Sequence, residues 1–369
     1  MKKNLFILAV TAAALASCSN DVTTAVNKTL NAPQEITFRS TTDGMTRAAD
    51  TDLTYLQTNG IYVSARNSTG DTQYSNFTDI HFTHSSSVWS STPAYHWPSS
   101  GSLDFYAYAP AASGQITAHA DYKSFTVTPS ATAADQIDLV FANANGKNKT
   151  NSGTGVALNF RHAESMVAIN LKNSNAGMTM TVGNVVIGNV KNSGTYSYSK
   201  IAEGTTAAST YLLLSDWNTS GATNTTYTQT VTDGSAYSSA TAAQAGVDMI
   251  LIPQAMTAVS TYASGDAGAA FNGPYITVQL KIQQGGAYIV GDANTFVTAM
   301  WPLPTLTWNP GHKYTYIIDL AGGGYYSTNN TGDNALDPIL SGSDEIKFAS
   351  VTVDTWNTAS PAGDQTVSM

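Results

Sequence analysis

The chain has 369 residues, only 11% of them charged, and a formal net charge of −9 at pH 7. This length is enough for two domains of ordinary size, each with its own core. The acidic balance argues against nucleic acid and anionic membrane surfaces as partners, because both select clustered lysine and arginine. Abundant Thr, Ser, Asn, Gly and Tyr favour β-sheets with polar, uncharged outer faces and turn-rich connections.

The N-terminus has the pattern of an export signal. Lys2 and Lys3 precede an apolar run over residues 5–15, which is shorter than the roughly 20 apolar residues of a membrane-spanning helix. The sequence Leu-Ala-Ser-Cys that ends at Cys18 resembles the bacterial lipobox, whose cysteine is acylated and becomes the new N-terminus. Cys18 is the only cysteine, so it has no disulfide partner within the chain. We predict a lipoprotein signal peptide over residues 1–17 and lipidation, with palmitate, at Cys18; the alternative is an ordinary secretory signal that contains a cysteine.

A short strand is predicted soon after the lipidation site. Residues 19–33 are small and polar and indicate a flexible tether. In the following stretch, 35–39, the residues alternate and place Ile36 and Phe38 on one face of a strand. Residues 40–52 are typical of a loop.

The remainder of the chain is predicted to be all-β. Short apolar or alternating runs are separated by clusters of Gly, Pro, Asn and Ser, which is typical of a β-sandwich rather than of βαβ units. Helical periodicity is scarce, with candidates only near residues 212–217 and 240–245. The runs fall at 61–65, 103–108, 124–128, 137–141, 156–160, 166–171, 185–190, 249–252, 275–282, 314–320 and 345–353.

A domain boundary is predicted in the middle of the chain. Residues 143–155 form the longest stretch without an apolar side chain larger than alanine, although a long hairpin loop would have the same composition. We therefore expect an N-terminal domain over residues 48–150 and a C-terminal domain over residues 151–369.

The residues that carry chemistry form no recognisable catalytic or metal-binding pattern. His81 and His84 are three apart in a predicted strand, which sends their side chains to opposite faces. For His162 we expect a hydrogen bond in a loop or at a strand edge. The glycines at 322–324 indicate a flexible turn, and no nucleophile elbow, metalloprotease or phosphate-binding motif occurs. We expect no enzyme activity, no cofactor and no metal.

Aromatic residues are numerous, with 6 Trp and 19 Tyr. Their rings could line a carbohydrate-binding face, because aromatic rings present large apolar surfaces. Strand cores and cross-strand pairs are the commoner use of such residues, and we favour that interpretation.

Several stretches together resemble the fimbrillin family, the major and accessory subunits of the Bacteroidia-type (type V) pilus. Their order extends across nearly the whole chain, behind the lipobox. They are VW at 88–89, AYHWP at 94–98, LDFYAYAP at 103–110, LNFRHAESMV at 158–167, IPQ at 252–254, LTWNPGHKYTY at 306–316 and IKFASVTVDTW at 346–356.

This resemblance implies two transthyretin-like β-sandwich domains in tandem, with no cofactor and no reaction. It also implies transport to the outer membrane as a lipoprotein, followed by cleavage after an arginine by a trypsin-like protease. The bond between Arg47 and Ala48 matches that site in position and in its small, flexible surroundings. Residues 18–47 would then be a lipidated propeptide; the alternative is that Arg47 is an ordinary basic residue in a loop.

Loss of residues 18–47 would remove the strand that carries Ile36 and Phe38 and leave an open edge. An open edge is a template for another chain, so a strand from the next subunit, self or homologous, would fill it. Head-to-tail contacts of this kind do not close and grow into a filament. The C-terminal tail offers a donor, since Gln365, Val367 and Met369 have period two, but it is weakly apolar.

Two functions are favoured by the sequence, and a third, a glycosidase or other enzyme, is disfavoured because nothing points to a pair of catalytic carboxylates. The first is a structural pilus subunit, surface-exposed at the outer membrane and part of the fimbrium after maturation. The second is a tip or accessory adhesin, or glycan-binding surface lipoprotein, of the same fold, which would bind a host or bacterial surface receptor.

Overall fold

A computed structural model describes residues 33–40, 51–150, 155–198, 213–229, 231, 235–259, 273–327, 336–340, 350–355 and 365–367. Within these residues strands dominate, and the predicted all-β class is confirmed. The one α-helix in this part of the chain is α1 (Leu53–Asn59), and short 3-10 turns occur at Ala133–Asp135, Leu214–Asp216 and Leu320–Gly322. No helix in the described part is long and apolar enough to cross a membrane.

The strands are numbered in chain order. Those before residue 165 are β1 (Phe38–Ser40), β2 (Ile61–Asn67), β3 (Ile80–Ser85), β4 (Val88–Ser90), β5 (Leu103–Ala109), β6 (Ile116–Ala118), β7 (Ser124–Val127), β8 (Val140–Lys147), β9 (Val156–Leu158) and β10 (Arg161–His162). The next group is β11 (Ser165–Lys172), β12 (Met178–Lys191), β13 (Gly194–Ser197), β14 (Trp217–Asn218), β15 (Asn224–Gln229), β16 (Ser235–Tyr237), β17 (Ala243–Gln244), β18 (Met249–Leu251) and β19 (Gln254–Met256). The last are β20 (Tyr275–Gln284), β21 (Ala287–Val290), β22 (Val297–Pro302), β23 (Leu306–Trp308), β24 (His312–Asp319), β25 (Tyr325–Tyr326), β26 (Val351–Thr355) and β27 (Gln365–Val367).

The first sheet folds around its own core. Its strand order is β10-β8-β5-β2-β3-β4-β1-β9. Strand β3 serves two partners, because Ile80–Phe82 pairs with β2 and Thr83–Ser85 pairs with β4. The side chains of β1 and β5 therefore meet across a shared interior. We call this interior the N-terminal core; its fully buried large residues are Ile36, Phe38, Leu56, Ile61, Val63, Phe77, Phe82, Leu103, Phe105 and Val140.

Strand β5 is buried along its whole length because its two faces serve different apolar clusters. Phe105 and Ala107 face the N-terminal core, whereas Tyr108 belongs to a cluster on the other side of the strand. That second cluster packs against the small sheet β14-β13-β7-β6. Its buried members are Tyr108, Ile116, Phe125, Val127, Leu139, Phe141, Ala163, Tyr196, Trp217 and Ile252.

The second half of the chain builds a larger core between two further sheets. One has the order β17-β11-β24-β26-β27 and contains a parallel pair, β11 with β24. The other has the order β15-β12-β20-β22-β25, and β12 bends at a register shift between Val182 and Val185. Large buried residues of this C-terminal core include Val167, Ile169, Leu171, Met180, Ile187, Tyr227, Ile276, Leu280, Trp301, Trp308, Tyr314, Tyr316 and Val351.

Several local expectations need correction. Helix α1 was not expected; it begins at Asp52, whose side chain accepts the N–H of Tyr55 at 2.7 Å. Residues 143–147 belong to β8 although they lack large apolar side chains, because this strand pairs with β5 and its alanines, Ala142 and Ala144, join the N-terminal core. The expected helix near 212–217 is a single 3-10 turn, and Ala243–Gln244 is a strand.

The expected domain division at 150/151 remains a prediction. Hydrogen-bonded pairs cross that point, since β7 pairs with β13 and β8 with β10.

The glycines at 322–324 form a turn, as expected, for a steric reason. Gly323 and Gly324 have φ values of 73° and 74°. A Cβ on Gly324 would lie 2.8 Å from the ring of Trp301. The turn therefore needs glycine both for its backbone conformation and for its closeness to a core indole.

A hydrogen bond inside the C-terminal core provides a stability test. The Trp308 indole N–H donates to the Tyr316 hydroxyl at 2.9 Å, and both side chains are fully buried. Tyr316→Phe leaves the indole N–H without this acceptor, so we expect the free energy of unfolding to fall by about 1–3 kcal/mol. Urea unfolding measures this. In the matched control, Tyr326→Phe at an exposed position, we expect a change within about 0.5 kcal/mol; equal effects would contradict the assignment.

Candidate functional site: the groove filled by the N-terminal strand

Strand β1 is hydrogen-bonded on both of its edges, although it lies before the predicted processing site in the chain. On one side Phe38 pairs with Trp89 of β4 in antiparallel fashion. On the other side β1 runs parallel to β9, with Phe38, Arg39 and Ser40 opposite Val156, Ala157 and Leu158. Within the described residues, β1 is the strand that connects β9 to the rest of its sheet.

The residues just before β1 continue both ladders. The Ile36 N–H donates to the Tyr95 carbonyl at 2.7 Å, and the Trp97 N–H donates to the Gln34 carbonyl at 2.9 Å. On the opposite edge the Val156 N–H donates to the Thr37 carbonyl at 2.8 Å. The paired segment therefore extends from Gln34 to Ser40, and each paired group would lose its partner if the segment left.

The inward side chains of this segment are part of the N-terminal core. Ile36 and Phe38 are both 0% exposed, whereas Glu35 and Arg39 are exposed. The Phe38 ring meets Phe82 at 4.9 Å and Phe105 at 5.1 Å between centroids, in both cases nearly perpendicular. Edge-to-face contacts of this kind are favourable, and burying two such side chains contributes roughly 1.5–3 kcal/mol each.

We call this site the β1 groove. Its walls are the edge of β4 with residues 95–97 and the edge of β9, and its floor includes Phe82 and Phe105. Gly155, at the entry to β9, brings the two backbones together: its φ is 75°, and a Cβ there would lie 3.1 Å from the Phe38 carbonyl carbon. The groove thus accepts an extended strand with large apolar side chains two residues apart.

The residues predicted to be modified lie before and after β1 in the chain. Cys18, Arg47 and Ala48 are outside the described residues. Arg39, the other arginine near the predicted site, lies in β1 opposite Ala157. A protease needs an extended chain that it can pair with, so the paired backbone of Arg39 is a poor substrate. Arg47 lies between β1 and Thr51 in the chain.

Thr51, which follows Arg47 in the chain, is held by a buried polar cluster. Its hydroxyl donates to the Asp138 carbonyl at 2.7 Å, and its N–H donates to the Asp138 carboxylate at 3.2 Å. Nδ1 of His162 lies 2.8 Å from the same carboxylate. His162 lies in β10 and is nearly buried, so the hydrogen bond expected for it at a strand edge is present. We call Thr51, Asp138, His162 and Glu164 the anchor cluster.

Glu164 is the fully buried acid of the anchor cluster. One carboxyl oxygen accepts the Leu139 N–H at 2.9 Å, and the other has no hydrogen-bond partner. Burial, and secondarily the charge of Asp138, raises the pKa of Glu164 well above its usual range. The Glu164 carbonyl also accepts the Gly311 N–H at 2.7 Å, which links the cluster to the loop before β24.

Sequence reasoning did not identify the anchor cluster. His162 and Glu164 are two residues apart in the stretch 158–167, and these two ionisable side chains, which fall on the same face of an extended chain, were a usable signal. Asp138 and Thr51 carried no comparable signal, because their contacts with this stretch depend on the fold.

The histidines at 81 and 84 also have structural contacts. Both lie in β3, where His81 stacks on Tyr62 and His84 packs against Trp89. In the part of the chain that the structure describes, no group of three or more His, Cys, Asp or Glu is placed to hold a metal ion.

The fold and the groove define an all-β protein in which an N-terminal strand fills its own sheet. The chain belongs to the fimbrillin-like family, whose model matches residues 46–337. The matched region begins after β1.

Two solved structures align with most of the chain. A fimbrial protein from Bacteroides vulgatus is 15% identical with a TM-score of 0.52, and the match covers 88% of this chain and 99% of that one. The fimbrial anchor protein Mfa2 from Porphyromonas gingivalis is 9% identical with a TM-score of 0.36, covering 88% of this chain and 98% of its own. A comparison with curated protein sequences finds no match.

The first prediction for this site concerns the core role of β1. Phe38→Ala in the uncleaved chain should lower the free energy of unfolding by about 3–5 kcal/mol, because it opens a cavity against Phe82 and Phe105. Arg39→Ala, on the exposed face of the same strand, is the matched control and should change stability by less than about 0.5 kcal/mol. Denaturant titration compares the two. Equal losses would mean that Phe38 contributes no more packing than its exposed neighbour.

The second prediction concerns pH. The raised pKa of Glu164 means that the folded chain keeps a proton that the unfolded chain releases above pH of about 4.3. The stabilising contribution of this proton is fully present below that pH and is lost as the pH rises toward the folded pKa. Glu164→Gln has no such proton, so its stability should fall less than that of the wild type between about pH 5 and pH 8.

Urea midpoints at several pH values measure this difference. Glu35→Gln, which changes an exposed carboxyl on the segment before β1, is the control and should follow the wild-type curve. Parallel curves for wild type and Glu164→Gln would show that Glu164 is ionised in the folded chain.

Proposed function

We propose that this chain is a structural subunit of a cell-surface pilus, exported as a lipoprotein, cleaved after Arg47 and polymerised by donor-strand exchange. The observation that carries the proposal is the position of β1. It is a full member of the N-terminal core and of both neighbouring ladders, yet it lies on the other side of Arg47 from the rest of the fold. Membership of the fimbrillin-like family and the fold shared with a fimbrial protein support the same assignment.

Cleavage after Arg47 would break the covalent link between β1 and the strands that follow. The rest of the fold would be retained. Thr51, four residues downstream, is fixed independently by Asp138. Once β1 leaves, the hydrogen-bonding groups of residues 95–97 and of β9 lose their partners, and Phe82 and Phe105 become exposed to water. Unpaired edges next to an apolar floor favour the entry of a new strand.

A strand from another subunit would supply the missing backbone partners. Main-chain hydrogen bonds would provide affinity, and two inward side chains would set the register. Because the donor and the groove are different surfaces, the contact is heterologous, and each added subunit offers a fresh groove. The result is an open filament rather than a closed oligomer.

Cys18 has a temporary role in this proposal. Its lipid would hold the precursor at the outer membrane, facing the cell surface, until a trypsin-like protease cuts after Arg47. The lipid and β1 are on the same fragment, so release from the membrane and opening of the groove are one event. The role assigned to the chain is structural, with no reaction and no cofactor.

A tip or accessory adhesin that binds a surface receptor is the second candidate. The observation that favours it is the pairing of β27, the terminal strand, with β26 of the same chain, Val367 opposite Val351. A subunit whose terminal strand is used internally would accept a donor but would not offer that tail to a neighbour.

Treatment of the purified precursor with a low dose of trypsin tests the proposal. We expect a new N-terminus at Ala48 and SDS-resistant ladders that grow with time. Arg47→Gln should abolish both, whereas Arg39→Gln should change neither, because the Arg39 backbone is paired with β9. N-terminal sequencing and unboiled gels provide the measurements. Cleavage at Arg47 without ladders would contradict self-polymerisation and favour the accessory subunit.

A further inference from the structure

A row of aromatic rings crosses the outer face of the first sheet. Tyr62 of β2 is paired with Tyr108 of β5 on one side and with His81 of β3 on the other. The ring centroids are 5.6 Å apart in the first pair and 4.9 Å apart in the second, with interplanar angles of 31° and 22°. Tyr108 is buried, Tyr62 is half-buried and His81 is exposed. Ile61 and Val63, which alternate with Tyr62, point into the N-terminal core, so the row lies on the face opposite the β1 groove.

The exposed imidazole of His81 is held in one orientation. Tyr62 covers one face of the ring, and Nε2 lies 2.9 Å from the Asn59 carbonyl oxygen. Gly60 makes room for the ring, because a Cβ at that position would overlap Nε2. Fixing a side chain at the surface costs rotamer freedom and buries little apolar area. A fixed, exposed ring is therefore more typical of preorganised binding than of packing.

The same contacts decide which part of the imidazole is available to a ligand. A carbonyl oxygen can only accept, so Nε2 of His81 donates to Asn59, and Nδ1 of the neutral ring is then an acceptor. Among the described residues, Nδ1 has no hydrogen-bond partner. His81 thus presents its second ring face to solvent together with a free acceptor on the ring edge.

A carboxylate stands on the same face of the sheet. Asp79, two residues before His81, accepts the Tyr108 hydroxyl at 2.6 Å, and its N–H donates to the Ser64 hydroxyl at 2.8 Å. Tyr122, from the turn between β6 and β7, lies close to this carboxylate, because burial and the charge of Asp79 raise the pKa of Tyr122. Asp79 and Tyr122 have φ values of 53° and 54°. Left-handed backbone of this kind costs a non-glycine residue about 1–3 kcal/mol and clusters at binding sites.

The chemistry of this surface favours a neutral sugar. An anion would be repelled by Asp79, and the nearby basic side chains, Arg66 and Lys123, are both paired with Asp71. A peptide that adds a strand needs a sheet edge, whereas β2 and β3 occupy interior positions of their sheet. A pyranose has CH groups that pack on the negative face of an aromatic ring and hydroxyls that donate to acceptors.

We propose that the surface around His81 is a binding site for a neutral hexopyranose of a glycan. We call it the His81 platform; its residues are Tyr62, Asp79, His81 and Tyr122. The sugar ring lies against the free face of His81, one hydroxyl donates to Nδ1, and a second donates to the Asp79 carboxylate, about 7 Å away along the strand. The platform is on the opposite face from the β1 groove, so it is independent of cleavage and of the proposed function.

Saturation-transfer NMR on the intact precursor tests the site. The probes are the methyl glycosides of glucose, galactose, mannose and N-acetylglucosamine at millimolar concentration, with choline chloride as a cationic comparator. We expect transfer to at least one sugar, strongest at the CH protons of one ring face. Absence of transfer to all four sugars, or transfer to choline alone, would overturn the inference.

Substitutions at His81 separate its two contributions. His81→Ala removes both the ring face and the acceptor, so it should raise the Kd of the bound sugar by more than about tenfold. His81→Phe keeps a ring face but lacks Nδ1, and its Kd should fall between the two. His96→Ala, which changes an exposed histidine outside the platform, is the matched control and should leave the Kd unchanged. Equal binding by the wild type and His81→Ala would overturn the inference.

Two further measurements distinguish loss of the site from other effects. His81 is exposed, so His81→Ala should change the free energy of unfolding by less than about 0.5 kcal/mol in a denaturant titration. Trypsin-treated His81→Ala should form ladders as the wild type does. A wild-type chain that forms ladders but binds none of the sugars would overturn this inference alone, whereas a chain that binds a sugar but forms no ladders would contradict the proposed function alone.

Discussion

The insertion of Ile36 and Phe38 between β4 and β9 is the contact on which the first sheet depends. Strand β9 joins that sheet through β1, and the Phe38 ring closes the floor made by Phe82 and Phe105. Sheets normally keep their edges short or covered, because unpaired backbone groups invite other chains. Here an interior position of the sheet is filled by a segment whose covalent link to the following strands runs through residues 41–50.

The magnitudes explain why such a strand must be replaced if it is removed. Two buried side chains contribute roughly 3–6 kcal/mol together, before any backbone hydrogen bond is considered. A whole domain is stable by only about 5–15 kcal/mol, so an empty groove would leave the N-terminal core marginal. In the proposed function, a donor strand that makes the same contacts as β1 would be held in the filament by a free energy of similar size.

The anchor cluster holds Thr51 through contacts that do not depend on β1. Thr51 is fixed to Asp138, Asp138 contacts His162, and Glu164 joins this region to the loop before β24. These contacts are buried and do not involve β1. In the proposed function, a cut after Arg47 would separate β1 from a fold in which Thr51 is already held by Asp138. The strands that follow would then keep their contacts when β1 leaves.

The sequence by itself determined what depends on neighbours along the chain. Alternating or apolar runs identified many of the longer strands and the one carrying Ile36 and Phe38, and the scarcity of helical periodicity indicated the all-β class. What only the tertiary structure decided is which strands meet. Nothing local predicts that β1 lies parallel to β9, more than a hundred residues away, or that both faces of β5 are buried between two cores. The contacts of Thr51 with Asp138 were missed for the same reason, whereas helix α1 was missed although its N-cap, Asp52, is a local signal. Alternation indicates which side chains share one face of a strand, whereas long-range packing determines which strands pair. It is the pairing of β1 with β4 and β9 that makes a short predicted strand a candidate site.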